Sequence, residues 1–135
     1  PIFKDRKTGK EFFYFDTHFD HIGKQARAES ARMMVARMKR IAGEKAAVFL
    51  SGDLNTTYDN ALLDPLKAWM QSARHAAPVT DELPTFNDFG KRSLWIDFIF
   101  ARNARALAYR TLVDSGRYGV PFLSDHNPVY ALYKL

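Results

Sequence analysis

Apolar and polar positions along the chain change period several times, and each change marks an element. Glu11-Phe12-Phe13-Tyr14-Phe15-Asp16 is a dense aromatic run that predicts a strand. Lys7-Thr8-Gly9-Lys10 before it is a turn signal, and Pro1-Ile2-Phe3 reads as a strand stub, so residues 1–18 form a hairpin. Over 24–42, Ala31, Met34, Val35, Met38, Ile41 and Ala42 recur at i, i+3, i+4 and i+7, which predicts a helix capped by Gly43. Met33 and Met34 are assigned to its core side. Ala46 to Leu50 is a short continuous apolar run, the mark of a strand covered on both faces. A second helix is expected over 59–72, with Leu62, Leu66, Trp69 and Met70 inward and Pro65 as a break or restart. Residues 74–92 read as loop. Strands follow at Leu94 to Ala101, Ala108 to Asp114 and Pro128 to Leu135. This alternation predicts an α/β layer fold.

Composition narrows the function classes. The 135 residues fit one domain, with 47% hydrophobic residues for a core. No apolar run approaches the roughly 20 residues needed to cross a bilayer as a helix. The chain has no cysteine, which removes disulfides, thiolate zinc sites and cysteine nucleophiles. Compartment is left open. The formal charge of +5 suits a polyanionic partner. Much of the excess is in Arg27, Arg32, Arg37, Lys39 and Arg40, which share one predicted helix and equally suit a solvated basic face.

Four segments carry candidate chemistry. Ser51-Gly52-Asp53-Leu54-Asn55 follows a buried strand, and strand alternation would turn Asp53 and Asn55 the same way. That pair suits a hard cation or a water nucleophile at a strand end. An Asx turn, with Asn55 or Thr56 capping the next helix, fits as well. Asp97 lies inside the apolar Trp95-Ile96-Asp97-Phe98-Ile99-Phe100 and needs a cation, a metal or a donor such as histidine. An arginine salt bridge would also serve. Asp125 and His126 lie in a loop before Pro128, where adjacent side chains diverge. His126 is then free to pair with Asp97 and to exchange protons near neutral pH, or to stand inert at the surface. His18, Asp20 and His21 end the aromatic strand and admit a zinc reading. His75 is expected to be a lone solvated side chain.

The order of these motifs resembles the endonuclease/exonuclease/phosphatase family. Thr17-His18 ends a strand, Gly52-Asp53-Leu54-Asn55 ends the next, Ile96-Asp97-Phe98-Ile99 lies in a third, and Ser124-Asp125-His126-Asn127-Pro128 precedes the last. Pro84-Thr85-Phe86 resembles the family's Thr-Phe segment, while Asn87 and Asp88 stand where many relatives carry His-Gly. The resemblance implies a layered α/β sandwich. Residues 1–135 would be a single partial domain, its C-terminal half: about one mixed β-sheet with flanking helices, the N-terminal sheet missing. It implies a hydrolase acting on a phosphate ester, a phosphodiester or a phosphomonoester, with Mg2+ as cofactor and Mn2+ as a substitute. By the same resemblance, Asp53 orients or activates water and touches the metal. Asn55 holds a phosphate oxygen or the metal's water shell, Asp125 supports the metal or its waters, His126 bonds the phosphate while held by Asp97, and His18 contacts the phosphate and stabilises charge or protonates the leaving oxygen. Nucleic acid, phospholipid and sugar phosphate are all family substrates. The family's principal metal carboxylate, a Glu, would precede residue 1, so the chain alone is expected to be inactive or incomplete. A sheet face without its packing partner would favour self-association. The alternative is a non-catalytic half-domain used for binding or dimerisation.

Overall fold

The computed structural model describes residues 1–113 and 116–135. Five strands form the main sheet in the order β1-β2-β3-β5-β4: β1 Ile2–Lys4, β2 Glu11–Asp16, β3 Ala47–Asp53, β4 Gln71–Ser72 and β5 Asp97–Arg102. β2 and β3 are parallel, and the other pairs are antiparallel. The crossover between the parallel pair is α1, Lys24–Ala42, over the span its periodicity predicts. Gly43 ends it at φ 69°, its N–H bonded to the Lys39 carbonyl. Lys39 and Arg40 sit in the last turn, where cations suit the helix dipole.

Strand alternation gives the sheet two apolar faces. Phe13, Phe15, Val48, Leu50, Phe98 and Phe100 pack beneath Ala31, Met34, Val35 and Met38 of α1. Leu66 and Trp69 of α2, Asp64–Trp69, complete that core. Met33, assigned to the core, and Ile41 are instead half exposed, because the buried stripe runs through Ala31, Met34, Val35 and Met38. Arg32, Arg37, Lys39 and Arg40 lie exposed on the outer side of α1, as a solvated face requires.

The opposite sheet face carries an aromatic chain. Phe3 stacks on Phe12, Phe12 meets Phe49 edge-on, and Phe49 meets Tyr133 at a centroid distance of 5.0 Å. Tyr133 belongs to a second sheet, the antiparallel pair β6 Arg105–Thr111 and β7 Val129–Lys134. Ile99 of the main sheet packs in one cluster with Tyr109 of β6 and with Val129, Ala131 and Tyr133 of β7. Part of the face expected to be bare is therefore covered by this ribbon. Exposed apolar side chains remain at Tyr130 and Leu132 on the outer side of β7, and at Ile2 and Phe3 on β1. The strand end expected at Asp114 lies outside the described residues.

The single helix expected over 59–72 is broken into shorter elements. Asn60 caps a 3-10 turn over Ala61–Leu63, and Pro65 sits in the first turn of α2, where its missing N–H costs nothing. Gln71 and Ser72 then leave the helix to pair with Ala101 and Phe100 of β5. This edge pairing overrides local helix preference. The region expected to be loop holds α3, Ala73–Ala76, and a 3-10 turn at Asp88–Gly90.

Candidate active site

The site forms where β2 and β3 end and β5 begins. Past β2, the parallel ladder continues through Thr17 N–H to the Ser51 carbonyl and Phe19 N–H to the Asp53 carbonyl. That carries His18 beside Asp53, with Nε2 3.3 Å from Oδ2. Gly52 makes the close approach possible: a Cβ there would lie 1.7 Å from the Thr17 carbonyl oxygen, and its φ is +147°.

Antiparallel register between β3 and β5 places Asp53 directly opposite Asp97. His126 arrives from the loop before β7. Its Nδ1 lies 2.9 Å from Asp97 Oδ2, and its Nε2 lies 3.8 Å from Asp53 Oδ2. The pairing expected from the isolated carboxylate of an apolar strand is thus present. An ionised carboxylate only accepts, so Nδ1–H donates to Asp97 and Nε2 faces the site. Burial pushes the Asp97 carboxyl up from the ordinary 3.8, against the opposing pull of the His126 and Thr85 hydrogen bonds.

Asn55 departs from the strand geometry expected of it. β3 ends at Asp53, and Asn55 adopts φ 49°. Its N–H donates to Asp53 Oδ1 at 2.8 Å, closing an Asx turn, and its Nδ2 donates to the Phe19 carbonyl at 2.8 Å. The turn's carboxylate is Asp53, and the next helical turn is capped by Asn60 and not by Asn55 or Thr56. Asn55 thereby ties the Asp53 turn to the chain end that carries His18. The Asp125 carboxylate accepts from Ser124 Oγ, and its carbonyl accepts from the N–H groups of Asn87 and Asp88.

Asp53, Asp97 and His126 offer ligand atoms within 4.8 Å of one another. Among the described residues this is the only such group of three or more His, Asp or Glu. Asp20 is not part of a zinc cluster, since its Oδ1 accepts from the N–H groups of Ile22 and Gly23 at the start of α1. His75 is not alone: its ring stacks on Tyr58 at 3.7 Å, and Nδ1 lies 3.0 Å from Ser72 Oγ.

Two supporting residues carried no readable signal of their role. Buried Thr85 receives hydrogen bonds at Oγ1 from the N–H groups of Ile96 and Asp97. Buried Asn87 donates through Nδ2 to the Ser124 carbonyl and to Asn127 Oδ1. The family's Thr-Phe segment covers Thr85, and Asn87 stands where many relatives carry His, a departure that marks the loop without showing these partners.

No family profile and no curated protein matches the chain. Solved structures do. An endonuclease/exonuclease/phosphatase protein from Bacteroides vulgatus is 33% identical, with TM-score 0.84, over 99% of this chain and 53% of its own. The mannosyl-6-phosphatase of Bacteroides thetaiotaomicron is 32% identical, with TM-score 0.85, over 99% and 55%. A second family protein from that organism is 34% identical, with TM-score 0.80, over 95% and 52%. The chain spans about half the length of these structures. Shared fold, shared identity over nearly all 135 residues, and the ordered strand-end motifs agree: the chain belongs to the endonuclease/exonuclease/phosphatase family.

Proposed function

We propose that the chain is the C-terminal half of a divalent-metal-dependent phosphoesterase domain, and that its site binds and hydrolyses a phosphate ester. The observation that carries this reading is the convergence of two histidines on one carboxylate, with His126 in turn held by Asp97.

Each side chain has a role that its geometry suits. Asp53 accepts a proton from the attacking water as the new P–O bond forms. His126, protonated at Nδ1 against Asp97, presents Nε2 to a phosphate oxygen. Donation to that oxygen requires a proton on Nε2 as well. His18, with a side chain 74% exposed, is open to solvent and reaches the leaving oxygen, which takes up a proton as its bond to phosphorus breaks. Fixed donors aimed at the charge of an in-line displacement stabilise its transition state.

Asp53, Asp97 and His126 offer ligand atoms within 4.8 Å of one another, and the carboxylate oxygens among them suit a hard divalent ion. Mg2+, with Mn2+ as a substitute, would neutralise phosphate charge as a Lewis acid. Asp53 would hold it, with Asn55 and Asp125 acting on its water shell. The family resemblance implies a further metal carboxylate, a Glu, in the other half of the domain, and on that reading the 135 residues alone would be inactive or weakly active. The similar mannosyl-6-phosphatase favours a sugar phosphate over nucleic acid or phospholipid.

Phosphatase and phosphodiesterase assays with Mg2+ test the reading in the gene product that carries these residues. Activity that Asp53→Ala abolishes, together with weakened Mg2+ binding by calorimetry, supports it. An inactive gene product whose Mg2+ binding ignores Asp53→Ala sinks it. The exposed Tyr130 and Leu132 favour a second reading, a binding or dimerisation half-domain. Sedimentation that stays monomeric at high concentration would remove its self-association form.

A further inference from the structure

We propose that Asn87 is a positioning residue, whose buried side chain sets His126 against Asp97. The proposal rests on the phosphoesterase reading of the same site.

His126 and Asp97 come from different elements, and a single stretch holds both. Thr85 Oγ1 receives the N–H groups of Ile96 and Asp97, at 3.1 and 3.0 Å. Two residues on, Asn87 holds the histidine's loop. Its N–H donates to the Asp125 carbonyl at 2.7 Å. Its Nδ2 donates to the Ser124 carbonyl at 3.2 Å and to Asn127 Oδ1 at 3.0 Å. Its Oδ1 accepts from Phe89 N–H at 2.8 Å. Asn127 answers in the other direction, with its N–H on the Thr85 carbonyl and its Nδ2 on the Pro84 carbonyl. The two loop segments are thus laced on both sides of His126. Between them Phe86 meets the His126 ring edge-on at a centroid distance of 4.9 Å.

The chemistry of the amide decides the role. Asn87 is 6% exposed, and both ends of its amide are bonded. Only a group that donates at one end and accepts at the other satisfies these partners. The Nδ2 bonds reach the residues two before and one after His126, so they fix the loop on either side of the ring. An imidazole whose orientation is held by such outer contacts is pre-organised for its task.

The test is Asn87→Asp in the full gene product. It keeps the shape but sets an acceptor against the Ser124 carbonyl and Asn127 Oδ1. Two readouts are taken on folded protein: kcat and KM, and the His126 Nδ1 proton by nitrogen-edited NMR. The expected result is a kcat lowered about 10- to 100-fold with KM within about twofold, the range for lost outer-contact partners. The downfield Nδ1 proton should shift or broaden as the Asp97 bond loosens. A purely structural role would lower thermal stability and leave kcat and the proton signal unchanged in the folded fraction, which would overturn the proposal. If Asn87→Asp does not fold, Asn127→Ala removes the acceptor from the other side and is read the same way. If the wild-type protein hydrolyses no phosphate ester, the functional reading fails, and the Nδ1 signal alone decides the positioning role.

Discussion

Asp97 Oδ2 lies 2.9 Å from His126 Nδ1, across 29 residues of sequence, and the carboxylate is 82% removed from solvent at its side chain, only 18% remaining exposed. Burial of an acid is a cost, and here the histidine's donor offsets it. The bond also selects the tautomer that turns Nε2 to the site.

Asp97→Asn should separate stability from activity. Burial holds the folded-state titration of Asp97 above the ordinary 3.8. The fold therefore binds this proton more tightly than the unfolded chain does. Its stabilising contribution is full below pH 3.8 and is lost as pH rises through the raised value. Asparagine carries no such charge. In chelator, the urea midpoint of wild type should fall relative to Asp97→Asn as pH rises above 3.8, while kcat of the variant drops about 10²-fold. Equal pH profiles for the two proteins would refute the assignment.

His18→Asn should cost activity without stability. The side chain is 74% exposed, and its ion pair with Asp53 is correspondingly weak. We expect thermal unfolding within about 0.5 kcal/mol of wild type. Turnover should fall about 10²-fold or more if His18 assists the leaving oxygen. The loss should shrink on substrates with better leaving groups, and steady-state kinetics on a leaving-group series checks this.

Much of the frame was legible because it rests on local periodicity. The stripe through Ala31, Met34, Val35 and Met38 defines α1 without tertiary information. Asp97 was legible by cost, as a charge in an apolar strand. What was not legible depends on distant partners. Asn87 reaches Ser124 and Asn127, 37 and 40 residues away, and nothing near it in sequence shows this. The conformation of Asn55 was not legible because β3 ends at Asp53 and the chain turns at Asn55, φ 49°, where strand alternation no longer applies. β4 exists only because β5 lies beside it.

Gly52→Ala should be among the most damaging single-methyl changes. A Cβ would lie 1.7 Å from the Thr17 carbonyl oxygen and 2.8 Å from its carbon. Backbone cannot yield as a side chain does. The φ of +147° adds strain for any residue with a Cβ. We expect a loss of about 2–4 kcal/mol in urea unfolding. The β2 and β3 ends would part, carrying His18 away from Asp53, so activity should fall in the molecules that remain folded. An unfolding midpoint like that of wild type would show the close approach to be unnecessary.

His75 gives the fold a pH dependence away from the site. Its ring stacks on Tyr58 at an interplanar angle of 15°, and Tyr58 in turn neighbours Phe98 of the core. Burial first, and then the nearby Arg74, hold its titration below the ordinary 6.5. The unfolded chain thus takes up this proton at a higher pH than the fold does. The contribution of the stack is full above pH 6.5 and is lost as pH falls through the lowered value. Glu82 pulls the other way, but its effect is smaller than those of burial and Arg74. His75→Phe keeps the stack and removes the proton. The thermal midpoint of wild type should therefore drop relative to His75→Phe as pH falls below 6.5, and the two curves should run parallel above it. Parallel curves throughout the acid range would mean that His75 titrates alike in the folded and unfolded chains.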